Sequence, residues 1–148
     1  MEYLTVHDLV WINSTVTGKV NPYNYVTLEA AMAGQYSYGD SKNVLEQAAN
    51  LLERLLATAP FSEGNLRTAF IATLSFLNAN GYATKVDDAD AASAVRSVAH
   101  GLKSPQQAIA EIAAPAAQAL ESTYTLRKLI SHECNHHANG LRFLADND

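Results

Sequence analysis

A loop that turns directly into a strongly apolar helix is the feature that most constrains the fold of this chain. Residues 60–69 read Pro-Phe-Ser-Glu-Gly-Asn-Leu-Arg-Thr-Ala, and an apolar run over residues 70–77 follows. A helix usually ends before a proline, and a glycine allows the tight turn into the next helix. The first turn of a helix has free backbone N–H groups and the positive end of the helix dipole. The segment therefore predicts a buried helix whose start can receive negatively charged oxygens.

Three residues at this helix start suit a phosphate-bearing ligand. Glu63 offers a carboxylate for a divalent cation, and Arg67 offers a guanidinium that can hold two phosphate oxygens. Gly64 lets the backbone approach an oxyanion closely. Each residue also has an ordinary structural interpretation, as a helix-start carboxylate, a solvated surface arginine and a tight turn. Taken together, the three predict a site for nucleotide phosphates and Mg²⁺.

Apolar residues recur with the helical period along most of the chain, and alternating strand patterns are scarce. We therefore expect an all-α, compact single-domain bundle of about six to seven helices over residues 1–148. The expected helices are one capped by Thr5 and Asp8, a short Ala-rich segment over 28–32 that Thr27 begins, a long helix from Ser41 that stops before Pro60, the helix after Gly64, one from Asp87 to Gly101, one beginning at Ser104-Pro105, and a final helix over 117–138 that Asn139-Gly140 ends. Pro115 should break or kink the helix before it.

Composition and charge narrow the class of protein. Apolar residues make up 48% of 148 residues, which fits a folded globule rather than a disordered chain. The net charge of −5 does not favour a nucleic-acid partner. Since no apolar run is long enough to span a bilayer, we expect no membrane segment. The single Cys134 excludes an internal disulfide and suits a reducing compartment, so we expect a cytoplasmic location.

The order of residues 60–68 resembles the signature of the Fic/Doc family, which reads His-Pro-Phe-x-Asp/Glu-Gly-Asn-x-Arg followed by Thr or a similar small residue. The match breaks at its first position, where this chain has Ala59. Tyr3-Leu4-Thr5 with Asp8-Leu9, and residues 76–82, are also similar to Doc-type (death-on-curing) proteins. The resemblance covers about residues 1–103, so that residues 104–148 would be additional C-terminal helices of the same domain.

The resemblance implies transfer of a phosphoryl or nucleotidyl group to a protein hydroxyl, in a toxin with a small antitoxin-like partner. In the family the acidic signature residue, here Glu63, coordinates Mg²⁺ on a nucleoside phosphate such as ATP. By the same resemblance, Gly64, Asn65 and Arg67 would hold the phosphates. The family also has a flap that holds the target backbone in an extended form. In this chain the flap corresponds to the loop of Tyr36, Ser37, Tyr38 and Gly39.

The two departures from the signature decide the functional hypothesis. The missing histidine is the family's general base, and losing a general base costs about 10²–10⁴-fold in rate. Ala59 cannot accept a proton, so we expect a degenerate or weakly active toxin-type transferase. Leu66 stands where Doc-type proteins usually have Lys, and its bulk is expected to lie close to the phosphates. The hypothesis requires an open helix start that Arg67 faces.

Three alternatives follow from other residues. His7 or His100 could act as a displaced base, which would make the chain an active transferase. The signature could also survive only as a scaffold in a non-catalytic protein-interaction module. Finally, His132 and His136 frame a His-Glu-x-x-His pattern in which two imidazoles on one helix face could bind Zn²⁺, with Glu133 as base. The extended form of that pattern needs Gly and His at positions 139 and 142, which are Asn and Arg here, so a zinc hydrolase ranks last.

Overall fold

The computed structural model describes residues 1–36, 43–116, 126–146 and 148. Within these residues the chain forms eight α-helices and one two-stranded antiparallel sheet. The elements are α1 (Val6–Thr17), α2 (Tyr25–Met32) with a 3₁₀ turn (Ala33–Gln35), α3 (Val44–Thr58), α4 (Asn65–Ala79), β1 (Tyr82–Thr84), α5 (Asp88–Ala99), α6 (Pro105–Ile112), β2 (Ala113–Pro115), α7 (Leu126–His136) and α8 (Ala138–Ala145). The predicted all-α bundle is confirmed. No helix in the described ranges has the length and apolar character needed to cross a membrane.

The central helix of the bundle is α4, which the apolar run after Gly64 predicted. It packs against α1, α3, α7 and α8. Its side chains from Thr68 to Leu77 are all buried, and Phe70 and Phe76 are fully buried. Such burial removes large apolar areas from water, at about 25 cal/mol per Å². The position of the helix start at residues 64–67 is therefore fixed by the core of the whole domain.

Two of the predicted helix starts are formed by reciprocal side-chain caps. Thr5 accepts a hydrogen bond from the backbone N–H of Asp8, and the Asp8 carboxylate accepts one from the N–H of Thr5. Ser104 and Gln107 make the same pair of bonds at the start of α6, with Pro105 at the first helical position. These caps satisfy N–H groups that a helix start otherwise leaves unpaired.

The prediction of a final helix over residues 117–138 is wrong about where that helix ends. The helix is interrupted at His137, and α8 then continues through Asn139 and Gly140 instead of ending there. Gly140 has a packing role, because a Cβ at this position would collide with the carboxylate of Asp88 on α5. The glycine thus allows α5 and α8 to approach closely. Residues 117–125 lie outside the described part of the chain.

Other element boundaries were predicted only approximately. α2 begins at Tyr25 behind an Asn24 cap, two residues earlier than the Thr27 start that the sequence suggested. α6 ends at Ile112, and Pro115 lies in β2, opposite Tyr82 of β1. This short sheet was not predicted, since three-residue strands carry almost no periodic signal. The expected start of α3 at residue 41 lies outside the described residues.

Candidate functional site at the start of α4

The loop before α4 is held by strand-like pairing with the segment that precedes α2. The carbonyl of Pro60 accepts a hydrogen bond from the N–H of Asn24 at 2.9 Å. The N–H of Ser62 donates to the carbonyl of Pro22, also at 2.9 Å, and Tyr23 and Phe61 form an antiparallel bridge. The signature loop therefore has a fixed backbone before any ligand arrives.

The side chain of Asn65 closes this loop. Its Oδ1 accepts from the N–H of Phe61 at 2.9 Å, and its Nδ2 donates to the carbonyl of Phe61 at 2.7 Å. Both polar atoms of the Asn65 side chain are therefore bonded to the backbone of Phe61, in the same loop. In this structure Asn65 therefore has a local structural role, while its contact to phosphate stays a prediction.

Gly64 is required by backbone conformation and by the packing of α1. Its φ of 80° lies in the left-handed region that favours glycine, and a Cβ there would collide with Thr17 Cγ2. Asn13 of α1 also lies close, and its Nδ2 donates to the carbonyl of Glu63 at 2.9 Å and to Thr68 Oγ1 at 3.1 Å. The glycine therefore lets α1 pack directly on the signature loop.

Three N–H donors at the helix start converge on one anion, and that anion belongs to the chain itself. The backbone N–H of Leu66 donates to Oδ1 of Asp148 at 2.7 Å. The backbone N–H of Arg67 donates to Oδ2 at 2.9 Å, and Nε of Arg67 donates to the same oxygen at 2.8 Å. The Asp148 side chain is only 4% exposed and that of Arg67 is 15% exposed. The predicted attraction of this helix start for anionic oxygens is thus realised with a carboxylate.

This contact bears directly on the nucleotide hypothesis, which required an open helix start. Arg67 does face the site, and its Nη1 also donates to the carbonyl of Val16 at 3.1 Å, so the guanidinium is fixed on two sides. The site itself is filled by the carboxylate of Asp148, so the expectation of an open helix start is wrong. A phosphate can use these donors only in place of that carboxylate.

Leu66 does not obstruct the site as the sequence suggested. Its side chain is 8% exposed and belongs to the hydrophobic core, while its backbone N–H faces the anion. The expected bulk beside the phosphates is therefore absent. Because the donor is a backbone group, it is present whichever side chain occupies this position.

Glu63 forms an ion pair with Lys19, a residue that sequence reasoning did not select. The Glu63 and Lys19 side chains are 37% and 60% exposed, and exposed pairs of this kind contribute about 0–1 kcal/mol. The carboxylate is therefore easily exchanged. Mg²⁺ on a nucleotide needs only one or two protein carboxylates besides the phosphates, so a single Glu63 fits that requirement.

Ala59 occupies the position of the missing base, with a φ of 42° at the C-terminal cap of α3. Its exposed methyl group cannot accept a proton. His7 lies in the first turn of α1, about 15 Å along the helix from the Thr17 that contacts Gly64. His100 caps the C-terminus of α5. No described contact joins either histidine to Ala59.

Only Tyr36 of the predicted flap lies within the described residues. Its ring packs edge-on against Tyr3 with 4.8 Å between centroids, and it is 43% exposed. With His7 and Tyr25 it lines a groove of about 550 Å³ between the N-terminal segment and α2. Ser37, Tyr38 and Gly39 lie outside the described residues.

The His-Glu-x-x-His pattern on α7 does not form a zinc-protease arrangement. His132 and His136 share an exposed face as predicted, and their rings stack with centroids 5.5 Å apart. Glu133 points elsewhere, since adjacent helical residues do not face each other. Its carboxylate is buried and accepts a hydrogen bond from Asn78 of α4. Nowhere in the described ranges do three His, Cys, Asp or Glu side chains gather to hold a metal.

Glu133 instead belongs to a buried cluster around His137. His137 Nε2 lies 3.0 Å from Glu133 Oε2, and its Nδ1 lies 2.8 Å from Oδ1 of Asp88. The other oxygen of Asp88 accepts a hydrogen bond from the N–H of Gly140 at 2.6 Å. Burial alone lowers the pKa of His137, but hydrogen bonds and charge from the two carboxylates outweigh it and raise the pKa above its ordinary value. Through these two carboxylates the buried ring of His137 joins α5, α7 and α8.

The His137 cluster makes stability depend on pH in a defined direction. Because the pKa of His137 is raised on folding, its contribution is complete below about 6.5, the unfolded value, and is lost as pH rises through the folded pKa. We expect the urea midpoint of the native chain to fall from pH 6.5 upward. The His137→Gln variant should show a flatter profile over that range, whereas exposed His100→Gln should retain the native slope. Equal slopes in native and His137→Gln chains would contradict the role assigned to this cluster.

Removing the side chain of Asn65 should destabilise the fold. Asn65→Ala leaves the N–H and carbonyl of Phe61 without their partners, at a cost of about 1–3 kcal/mol in the free energy of unfolding. Urea denaturation at constant pH measures this change. Asn135→Ala on the exposed face of α7 is the matched control and should leave stability within about 0.5 kcal/mol. An Asn65→Ala chain as stable as the control would show that the loop does not depend on this amide.

The comparisons with known proteins bear on the part of the chain that contains this site. A model of the Fic/DOC family matches residues 3–77, just over half of the chain, including Ala59 and the start of α4. Comparison with curated proteins and with solved structures yields no match. Asp88, His137 and Asp148 lie outside the matched range. The signature loop and the match together identify this chain as a member of the Fic/DOC family.

Proposed function

We propose that this chain is a degenerate toxin-type transferase that keeps the phosphate receptor of its family and lacks the general base. The observation that carries the proposal is the convergence of Leu66 N, Arg67 N and Arg67 Nε on a bound carboxylate, at 2.7 to 2.9 Å. Phosphate oxygens accept hydrogen bonds from the same kinds of donor. The ligand of the proposal is a nucleoside phosphate such as ATP with Mg²⁺. Its partners are a target-protein hydroxyl and a small antitoxin-like protein.

The remaining signature residues support the phosphate receptor in different ways. Gly64 and Asn65 fix the loop, so that the amides of residues 66 and 67 point to one place. Glu63, the residue before Gly64, forms an exchangeable pair with Lys19, which leaves its carboxylate available to a cation that comes with the nucleotide. Transfer would be weak because Ala59 supplies no proton acceptor, and general-base catalysis is worth about 10²–10⁴-fold.

Nucleotide binding is tested in a chain whose internal carboxylate has been neutralised, so that Asp148 cannot mask the site. We expect calorimetry to detect Mg-ATP binding to Asp148→Asn. We expect at least about tenfold weaker binding to Asp148→Asn/Arg67→Ala, since hydrogen bonds from a charged group contribute about 1.5–3 kcal/mol. Asp148→Asn/Lys85→Ala is the control, because it removes one exposed positive charge away from the helix start. Absence of Mg-ATP binding to Asp148→Asn would remove the nucleotide from the proposal.

The missing base is tested by transfer of labelled nucleotide to lysate proteins. We expect near-background labelling by Asp148→Asn, which frees the site, and a gain of about 10²–10⁴-fold in Asp148→Asn/Ala59→His, the usual effect of a general base. His tolerates a left-handed φ better than most side chains, so the backbone at this position can accept it. Ala59→Asn has the same tolerance without a comparable base and should stay at background. Strong labelling by the native chain would favour an active transferase with a displaced base.

A non-catalytic interaction module is the second candidate. It is favoured by the local roles of Gly64 and Asn65, which serve the packing of the loop without any ligand. In that case Glu63→Gln and Arg67→Ala would change stability at most, and Mg-ATP would bind to no variant. The two candidates therefore differ in the calorimetry of Asp148→Asn.

A further inference from the structure

We propose that His132 and His136 form a two-imidazole site on the exposed face of α7, and that this site binds a divalent transition-metal ion such as Zn²⁺. The site is separate from the receptor at the start of α4 and does not depend on the proposed function. It also differs from the catalytic zinc site of a protease, because Glu133 is buried on another face of the helix. The protein supplies two ligands, and water completes the coordination of the ion.

The two histidines have the spacing and separation that a chelating pair needs. They are four positions apart within α7, and side chains at this spacing are neighbours on a helix surface. Their rings stack with centroids 5.5 Å apart and planes inclined by 12°. Zinc binds imidazole nitrogens at about 2.0–2.1 Å, and in tetrahedral geometry this places the centroids of two ligating rings about 5 Å apart. Both rings are exposed, so small rotations about their side-chain torsions bring the nitrogens onto one ion.

The nitrogens of this pair are available, whereas those of the neighbouring histidine are not. Within the described ranges neither His132 nor His136 has a hydrogen-bonding or charged partner, and His136 meets the ring of His137 edge-on at 4.9 Å between centroids. His137 is only 1% exposed, and its two nitrogens lie against the carboxylates of Asp88 and Glu133. His137 is therefore not a third ligand, and the site is bidentate.

The ligand atoms select the class of metal. Imidazole suits Zn²⁺, Cu²⁺ and Ni²⁺, while Mg²⁺ and Ca²⁺ prefer oxygen ligands. Two ligands on one helix bind as a chelate, and linking two binding groups raises affinity by about 10²–10⁴-fold. The bound ion ties the last turn of α7 to the turn before it, next to the interruption at His137. Zn²⁺ therefore stabilises this end of the helix, and Mg²⁺ does not.

The experiment is a Zn²⁺ titration of the full chain without a tag, at constant pH and followed by calorimetry. We expect the native chain to bind one Zn²⁺, and His132→Gln and His136→Gln each to bind it at least about 10²-fold more weakly, since a single imidazole remains. The control is His7→Gln/His100→Gln, which also removes two exposed histidines, but from α1 and from the end of α5. It should match the native affinity. Mg²⁺ should give no signal that depends on His132 or His136.

NMR of the native chain gives a second measurement that needs no variant. The imidazole signals of His132 and His136 should shift together as Zn²⁺ is added, before those of His7 and His100. The melting temperature should rise with Zn²⁺ more in the native chain than in His132→Gln, because a ligand of the folded state stabilises that state. Equal Zn²⁺ affinity in the native chain and His132→Gln would overturn the inference. An equal loss of affinity in His7→Gln/His100→Gln would also overturn it, since binding would then be non-specific.

Discussion

The backbone N–H groups at the start of α4 need an acceptor, and this requirement organises the functional end of the domain. The helix lies in the centre of the bundle, so its first turn is largely buried. Water alone therefore cannot supply hydrogen-bond acceptors for its N–H groups. Gly64, the residue at the N-cap position, has no side chain that could accept these hydrogen bonds. Asp148 supplies the acceptor from 81 positions away along the chain. The proposed anion site and the helix cap are here the same set of donors.

The signature residues divide into those that shape the receptor and those that form it. Asn65 and Gly64 hold the loop through contacts with Phe61 and Thr17, whereas Arg67 and the amide of residue 66 make the anion contacts. Leu66 shows why a departure from the signature matters less than it first suggests. Its side chain has joined the core, and its N–H remains where an anion can use it. Ala59 differs, because the missing group was a side chain that no backbone atom replaces.

The sequence predicts those parts of the structure that depend on neighbouring residues. The caps at Thr5 and Ser104 and the helix after Gly64 follow from local patterns, and all three are confirmed. The interruption at His137 does not follow, because it depends on carboxylates from α5 and α7 that meet only in the folded chain. Occupation of the anion site has the same cause. Nothing in the sequence near Asp148 indicates that its carboxylate reaches residues 66 and 67.

The contacts of Gly64 have a consequence for reading such motifs across a family. A Cβ at this position would collide with Thr17 of α1, and the φ of 80° disfavours other residues, so the fold alone requires a glycine here, with or without catalysis. The double hydrogen bond of Asn65 would preserve that residue for the same reason. The presence of Gly64 and Asn65 is therefore explained by the fold and is not evidence of catalysis. Evidence of catalysis has to come from positions at which the fold does not require a particular residue, above all residue 59.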